Sequence, residues 1–346
     1  MAEERKTHSR RHVSLVTGAT STLGLEVVRR LVAAGDEVRI ILRQHPEHNP
    51  EWKLLPPGVT PYVADLSIPA GETSRILREA CRGVDRVFHF ASANRPLASK
   101  FSKFVEINVI GTENLLRAFI EANPGDAEVH IIYSSSTAVY GYNRPGETLT
   151  EESKTAPITP YGESKLMGEH VIKAFASANR RVKFTIVRIG IMYGAGYDAA
   201  FNKVFRMLSE GRMKIIGDGA NHLCMIHVED AASAILLCCD EAKALNKTFN
   251  LTDGVKYTQK ELITLAAKFL GVAAPKGRIS RLLVKMMTLG RSFDDAQLQF
   301  LVSDRVVSID RIKSDVGFRP KKSIEVEGKN MVGEYLKRHA PIAIEE

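Results

Sequence analysis

Short apolar, β-branched runs alternate with amphipathic helical stretches from the start of the chain to about residue 190, and this alternation restricts the fold more than any other feature. His12 to Thr17 (HVSLVT) leads through a glycine-containing turn into a helix over Leu25 to Ala34, Gly35 follows as a C-cap, and Val38 to Leu42 (VRIIL) is a second buried strand. The pattern continues with Val59 to Val63, a helix from Glu72 to Cys81, Arg86 to Phe90, a helix over Phe104 to Ala122, Val129 to Tyr133, a helix over Tyr161 to Ala178, and Lys183 to Arg188. Strands apolar on both faces must be covered on both faces, and the intervening helices supply the crossovers that parallel pairing requires. The prediction is an α/β domain over residues 13–190 built on a doubly wound parallel sheet.

Beyond residue 190 the alternation becomes irregular, so residues 191–340 are expected to form a smaller α+β substrate lobe, with some chain returning to the first domain. Residues 1–12 read as a disordered basic leader: they carry Arg5, Lys6, Arg10 and Arg11, with no apolar segment behind them to make a secretory signal. With 44% hydrophobic and 25% charged residues, the composition excludes a disordered chain, a collagen or a disulfide scaffold. Cys81, Cys224, Cys238 and Cys239 lack the C-x-x-C spacing of a zinc or redox site, which predicts reduced thiols, a cytoplasmic location and no metal. No apolar run approaches the 18 or so residues of a membrane span.

The net charge of +8 admits an anionic partner or a solvated basic surface. Nucleic acid is not expected, because no basic stripe with interleaved aromatics occurs. One segment, Lys276 to Arg291, gathers Lys276, Arg278, Arg281, Lys285 and Arg291 around an apolar set without an acidic residue. It reads as a basic amphipathic helix facing acidic substrate, a peripheral membrane surface, or only water.

In a doubly wound sheet, ligands lie beyond the carboxyl ends of the strands, and the first strand-to-helix turn sets a helix N-terminus against a dinucleotide diphosphate. Gly18 and Gly24 hold the positions for a tight turn and close helix packing, with Ser21 where a middle glycine is usual. An acid at the end of the second strand would hold the 2′-hydroxyl of NAD, whereas an arginine accommodates the 2′-phosphate of NADP. Ile41-Leu42-Arg43-Gln44 supplies a guanidinium and no carboxylate, so NADP(H) is favoured, with NAD(H) the alternative.

Tyr161 and Lys165 are four apart, so on a helix they share one face. A tyrosine phenol titrates near 10, and a neighbouring ammonium brings it towards the range of a useful acid or base. Ser134-Ser135-Ser136 follows directly on a strand, at the edge where chemistry is expected, and a serine there can hydrogen-bond the oxygen that the tyrosine serves.

Thr17 to Gly24 (TGATSTLG), Ala64-Asp65-Leu66, Val87 to Ser92 (VFHFAS), Asn108 to Thr112 (NVIGT), Ser134 to Gly141 (SSSTAVYG), Tyr161 to Lys165 and Val187 to Gly194 (VRIGIMYG) resemble, in order, the motifs of the extended short-chain dehydrogenase/reductases, also called the NAD-dependent epimerase/dehydratase family. Gly217 to Asn221, His227 to Asp230 and Val316 to Pro320 resemble its carboxyl-terminal landmarks, so the resemblance spans about residues 12 to 335. It implies a Rossmann-type domain, with Ser136, Tyr161 and Lys165 as the catalytic set, Lys165 also holding the cofactor ribose. It further implies cofactor contacts from Gly18, Thr20, Ser21, Thr22, Leu23, Gly24, Arg43, Asp65, Leu66, Phe90, Ala91, Ser92, Asn108, Ser134, Tyr161, Lys165, Ile189 and Gly190. Asn108 would support the active-site helix or its water, Arg188 would be mainly structural, and Asp230 would cap a helix. Family members commonly dimerise through the two helices here at 104–122 and 161–178, which implies a homodimer.

Departures from the family pattern bear on substrate. Ile191 stands where nucleotide-sugar epimerases usually have asparagine, His222-Leu223-Cys224-Met225 lacks their diphosphate-binding arginine, and a late Arg-Pro-Gly-Asp-like motif is missing. Thr137-Ala138 cannot supply the acidic pair of the dehydratases. The remaining pattern is closest to the dihydroflavonol-reductase-like and 3β-hydroxysteroid-dehydrogenase-like branch, implying an oxidoreductase that interconverts a secondary alcohol and ketone on a small molecule. A UDP-sugar-type 4-epimerase is the alternative, and a non-catalytic dinucleotide sensor the third.

Overall fold

The computed structural model describes residues 12–68, 72–93, 101–141, 143, 146–194, 199–280, 282–284 and 302–339 of the 346. The basic leader up to residue 11 lies outside them, as do Arg281 and residues 285–291 of the late basic segment.

The predicted strands become β1 (Val13–Thr17), β2 (Glu37–Leu42), β3 (Thr60–Val63), β4 (Arg86–His89), β5 (Val129–Ser136) and β7 (Val182–Ile189), and a short unpredicted β6 (Thr148–Leu149) falls between the last two. The helices among them are α1 (Thr22–Ala33), α2 (Glu72–Cys81), α3 (Phe101–Val105), a π-helical turn (Glu106–Ile110), α4 (Gly111–Ala122) and α5 (Pro160–Ala178). Together with β12 (Lys247–Leu251), six of these strands pair in parallel in the order β12-β7-β5-β4-β1-β2-β3. The order reverses direction at β1, which puts a crevice beyond its carboxyl end.

The apolar strand runs are continuous because neighbouring residues feed opposite cores. Val16, Ile40, Phe88 and Ile132 face one cluster with Val27 and Leu31 of α1, whereas Leu15, Ile41, Val87 and Ile131 face another with Leu77, Leu116, Phe119 and Ile172. Pro61 is tolerated because β3 is an edge strand. β5 runs three residues past the predicted end at Tyr133, since β7 pairs with it up to Ser136, opposite Ile189. The three serines therefore belong to a strand end.

The later chain adds β8 (Ile191–Tyr193), α6 (Ala199–Ser209), β9 (Ile215–Ile216), β10 (His222–Leu223), β11 (Met225–His227), α7 (Val228–Asp240), β13 (Tyr257–Thr258), α8 (Gln259–Leu270), β14 (Arg278–Ile279), β15 (Val306–Val307), α9 (Asp310–Asp315) and α10 (Ile324–His339). β12 returns to the large sheet, and α7 packs on α1 with Ile235 in the first core. A third core holds the lobe together, with Phe205, Met225, Ile263 and Tyr335 at its centre.

Two local expectations are corrected. The late basic segment does not begin as a helix: Arg278 and Ile279 pair in parallel with Ile215 and Ile216, and helix starts only after Ser280, whose side chain accepts the Leu283 N–H at 3.1 Å. Asp230 does not cap α7. His227 does so, by accepting the Glu229 N–H at 3.3 Å, while Asp230 accepts from the backbone of Lys321 and Lys322 at 2.9 and 2.8 Å. Among the described residues no helix is long and apolar enough to cross a membrane.

Candidate active site

Thr159 caps α5 by accepting the Gly162 N–H at 3.0 Å, and Pro160 occupies the first turn, where its missing N–H costs nothing. From there Tyr161, Lys165 and Glu169 descend one face at successive intervals of four residues. The start of α5 lies directly on the chain after β5: a Cβ added to Gly162 would sit 2.6 Å from the Ala138 carbonyl oxygen. The Ala138 N–H in turn donates to Ser136 Oγ at 3.2 Å. The three predicted catalytic residues thus meet at one corner, where α5 covers the carboxyl end of β5.

Lys165 is 1% exposed, with its ammonium 4.4 Å from the centre of the Tyr133 ring. Burial lowers its pKa to about 7, and Glu169 one turn below opposes the shift. Glu169 is fully buried and completely engaged. It accepts from Arg188 Nε and Nη2 at 2.9 and 2.7 Å and from Ser135 Oγ at 2.6 Å. Arg188 also donates to the Tyr140 hydroxyl at 2.9 Å, and that hydroxyl donates to Asn250 Oδ1 at 2.6 Å. This network joins α5, β5, β7 and β12 beneath the tyrosine and lysine, which agrees with the structural role expected of Arg188.

A second polar chain runs under the neighbouring strands. Thr112 Oγ1 donates to the Asn108 carbonyl at 2.8 Å, so it accepts from His89 Nε2 at 2.8 Å; His89 Nδ1 then accepts from Thr17 Oγ1 at 2.7 Å. Burial, aided by the charge on Lys165, drives the His89 pKa down to about 3 and keeps the ring neutral. Asn108 lies in the π-helical turn, a distortion often found at functional sites. Its side chain donates to Ser164 Oγ at 2.8 Å and accepts from the Ala93 N–H at 2.8 Å. At 1% exposure Asn108 braces α5 against the segment after β4.

The residues assigned to a dinucleotide lie along one edge. Gly18 has φ +69°, and a Cβ there would sit 2.7 Å from Ala91 N and Phe90 C; one on Gly24 would sit 2.2 Å from the Gly18 oxygen. Only glycines allow this turn to close against β4, and the turn leaves a helix N-terminus open to a diphosphate. Ser21 serves the helix: its Oγ accepts the Gly24 N–H at 3.1 Å and donates to the Gly18 carbonyl at 2.7 Å. Thr20 and Thr22 are half-buried beside it, and Leu23 is buried. Arg43 is exposed at the end of β2, one strand from the turn, and Asp65 stands at the end of β3, one strand further, where it fixes Ser67 through its N–H and hydroxyl at 2.9 and 2.7 Å. Leu66 and Phe90 are buried, Ala91 and Ser92 line the end of β4, and Ser134 donates to the His89 carbonyl at 3.3 Å. This cradle fits a dinucleotide. Ile189 is buried at the end of β7, and a Cβ on Gly190 would sit 2.7 Å from the Cys224 oxygen, so the lobe packs tightly beside the strand ends. Among the described residues no cluster of three or more His, Cys, Asp or Glu is arranged to hold a metal.

Sequence reasoning missed Glu169 and His89. Glu169 had a readable signal, its four-residue spacing from Lys165, whereas His89 is invisible without the two threonines that straddle it.

The fold is that of an extended short-chain dehydrogenase/reductase. The chain belongs to the NAD dependent epimerase/dehydratase family, whose model matches residues 14–252. It is 29% identical over 289 residues to a UDP-glucose 4-epimerase of Lactobacillus helveticus, covering 75% of this chain and 82% of that one. It is 24% identical over 267 residues to a decarboxylating sterol-4-alpha-carboxylate 3-dehydrogenase of Dictyostelium discoideum, covering 75% and 77%. Among solved structures, MoeE5 in complex with UDP-glucuronic acid and NAD superposes with a TM-score of 0.74 at 23% identity, covering 94% of this chain and 99% of MoeE5.

Proposed function

We propose that the protein is an NAD(P)-dependent oxidoreductase that interconverts a secondary alcohol and a ketone. The carrying observation is the corner where Tyr161 and Lys165 of α5 meet the Ser136 strand end, with Lys165 buried and brought to a pKa of about 7. When bound, a nicotinamide supplies or accepts the hydride. Tyr161 exchanges the hydroxyl proton, Ser136 orients the same oxygen, and Lys165 stabilises the phenolate electrostatically while holding the ribose.

Gly18 to Gly24, Asp65 and the end of β4 would hold the dinucleotide, and Arg43 supports NADP(H) over NAD(H) through a 2′-phosphate. The dehydrogenase relative acts in the same chemical class. The likeness to a UDP-glucose 4-epimerase favours a second reading, in which the same residues serve two successive hydride transfers on a retained NAD. Ile191 and the His222 to Met225 stretch weigh against it, since they lack that class's usual polar contacts.

Cofactor titration with NADP and NAD, followed by the reduced-nicotinamide absorbance across a panel of secondary alcohols and ketones, tests the first reading. Net absorbance change with free cofactor supports it; cofactor retained through purification, with substrate conversion and no net absorbance change, sinks it in favour of the epimerase. Tyr161→Phe is expected to lower turnover by about 10²–10⁴-fold while cofactor affinity stays within a few-fold. A homodimer through α4 and α5 is part of this reading, and sedimentation equilibrium tests it.

A further inference from the structure

Lys165 is buried without an ion-pair partner among the described residues. Glu169, one turn along α5, is already committed: its Oε1 accepts from Ser135 and from Arg188 Nε at 2.6 and 2.9 Å, and its Oε2 accepts from Arg188 Nη2 at 2.7 Å, with Lys173 Nζ 3.8 Å away. The Lys165 ammonium lies instead against an aromatic ring, 4.4 Å from the centre of Tyr133.

The sheet register and the packing of α5 fix that ring. Tyr133 stands between His89 of β4 and Ile186 of β7 in the register of β5, buried on the face that α4 and α5 cover. Its ring centre is 5.6 Å from that of His89, with the planes tilted by 36°. Gly168 lets α5 settle on the far end of the ring: a Cβ there would collide with Tyr133 Oη and would sit 2.9 Å from Cζ. The hydroxyl is buried and has no hydrogen-bond partner among the described residues. Burial, with Tyr161 and Glu169 adding to it, raises its pKa well above 10, so the phenol is neutral and offers the ammonium no charge. His89, which feels the Lys165 charge, is neutral as well. Of the titratable groups around Lys165 on α5, β4 and β5, namely Tyr161, Glu169, His89 and Tyr133, the last is the one against which the ammonium rests. The attraction comes from the negative face of the ring, which acts most strongly on a cation where water is excluded.

We propose that Tyr133 is a positioning residue for Lys165: the face of its ring holds the ammonium charged, one helical turn from Tyr161, by a cation–π contact that takes the place of an ion pair. The role rests on the hydride-transfer reading, in which Lys165 must keep its proton to stabilise the Tyr161 phenolate. A carboxylate partner would occupy the N–H donors of the ammonium, whereas a ring face attracts the cation without taking a hydrogen bond from each of them, which leaves donors for a ribose.

The test replaces Tyr133 in the full-length protein by phenylalanine, and then by 4-fluoro-, 3,5-difluoro- and 3,4,5-trifluorophenylalanine. Each fluorine weakens the negative face of the ring while the ring keeps its place. The contact is read without substrate, from urea unfolding over the range from below 7 to 10.5, the folded and exposed values for Lys165. Stability falls with pH in that range until the folded Lys165 takes up its proton, and a weaker ring lowers its folded proton affinity. The fall is therefore expected to reach lower pH with each fluorine, by about tenfold in proton concentration between phenylalanine and the trifluoro ring. Phenylalanine is expected to match tyrosine, since the lost hydroxyl has no partner, and in a Lys165→Met background the series is expected to leave the pH dependence unmoved. The role in the reaction is read from kcat/KM on a secondary alcohol of the substrate panel, whose alkaline limb is expected to move towards acid in the same order. Unfolding profiles that ignore the fluorine series, that shift equally with Met at 165, or that move as far with phenylalanine as with the trifluoro ring overturn the contact. An alkaline limb that stays in place while the profiles shift overturns the positioning role. A wild-type protein without oxidoreductase activity, whose profiles nonetheless follow the series, counts against the hydride-transfer reading and leaves the contact standing.

Discussion

Glu169→Gln removes one charge from a pair that water barely reaches, with side-chain exposures of 5% for Arg188 and 0% for Glu169. Gln preserves the size of the side chain and one acceptor, so Ser135 can still donate to it, but the two Arg188 contacts at 2.9 and 2.7 Å lose their anion. Breaking one member of a buried pair costs about 3–5 kcal/mol, mostly because the surviving charge is stranded. The value belongs at the lower end here, since Arg188 keeps its bond to the Tyr140 hydroxyl. Denaturant unfolding should therefore show a loss of about 3 kcal/mol. The double variant Glu169→Gln/Arg188→Met should recover much of it, because no buried charge remains unpaired. A catalytic signature accompanies the loss. Glu169 raises the Lys165 pKa, so Gln lowers it, and the alkaline limb of kcat/KM should move towards acid. A Glu169→Gln protein within 1 kcal/mol of wild type, or a double variant no better than the single, would refute the reasoning.

Three further perturbations follow from the same physics. Lys165 titrates at about 7 when folded and at 10.5 when exposed, so between those values the unfolded chain binds a proton that the folded one does not, and stability falls as pH drops towards 7. Lys165→Met should thus stabilise the fold by a few kcal/mol near pH 7 and by almost nothing near pH 10.5, and a gain independent of pH in urea melts would contradict this. Asp253 behaves oppositely. It is 9% exposed, burial lifts its pKa from 3.8 to about 7, and Glu325 and Asp230 add to the rise, so its stabilising effect at low pH is lost as pH climbs from 3.8 to 7. Asp253→Asn keeps the acceptor for the Val255 N–H and should raise the melting temperature at pH 8 but not at pH 4, measured by calorimetry. Gly18→Ala places a methyl 2.7 Å from Ala91 N at φ +69° and should cost about 2 kcal/mol or more, with loss of dinucleotide protection in thermal melts.

How far these features could be read in the sequence follows from how local their causes are. The alternation of buried strands and amphipathic helices is local, and it led to the six large-sheet strands through β7 in order and to a helix ending at Ala178, though not to the short β6 or the π-helical turn that breaks the 104–122 helix. The Tyr161 to Lys165 spacing and the glycines at 18 and 24 are likewise short-range: α5 carries the first pair, and the second frames the turn from β1 into α1. The strand status of Ser134 to Ser136 is not local. Serines have little strand preference, and only the pairing of β5 with β7 as far as Ile189 carries the strand through them. The helix expected from Lys276 failed similarly, because pairing with β9 outweighs helical spacing for two residues.

The charged residues divide along the same line. Tyr161, Lys165 and Glu169 form one row on α5, from half-buried to fully buried, so the helix itself orders the acid/base group, its ammonium partner and the carboxylate that supports the ammonium. A heptad-scale reading of one helix recovers that row once Glu169 is counted with the other two. Arg188 is different: it sits among apolar neighbours, as Val187-Arg188-Ile189, and nothing close to it in the sequence offers an anion. Its burial therefore depends on an anion brought from elsewhere in the chain. For Arg188 the compensating anion is Glu169, 19 residues earlier on a helix that crosses the strand.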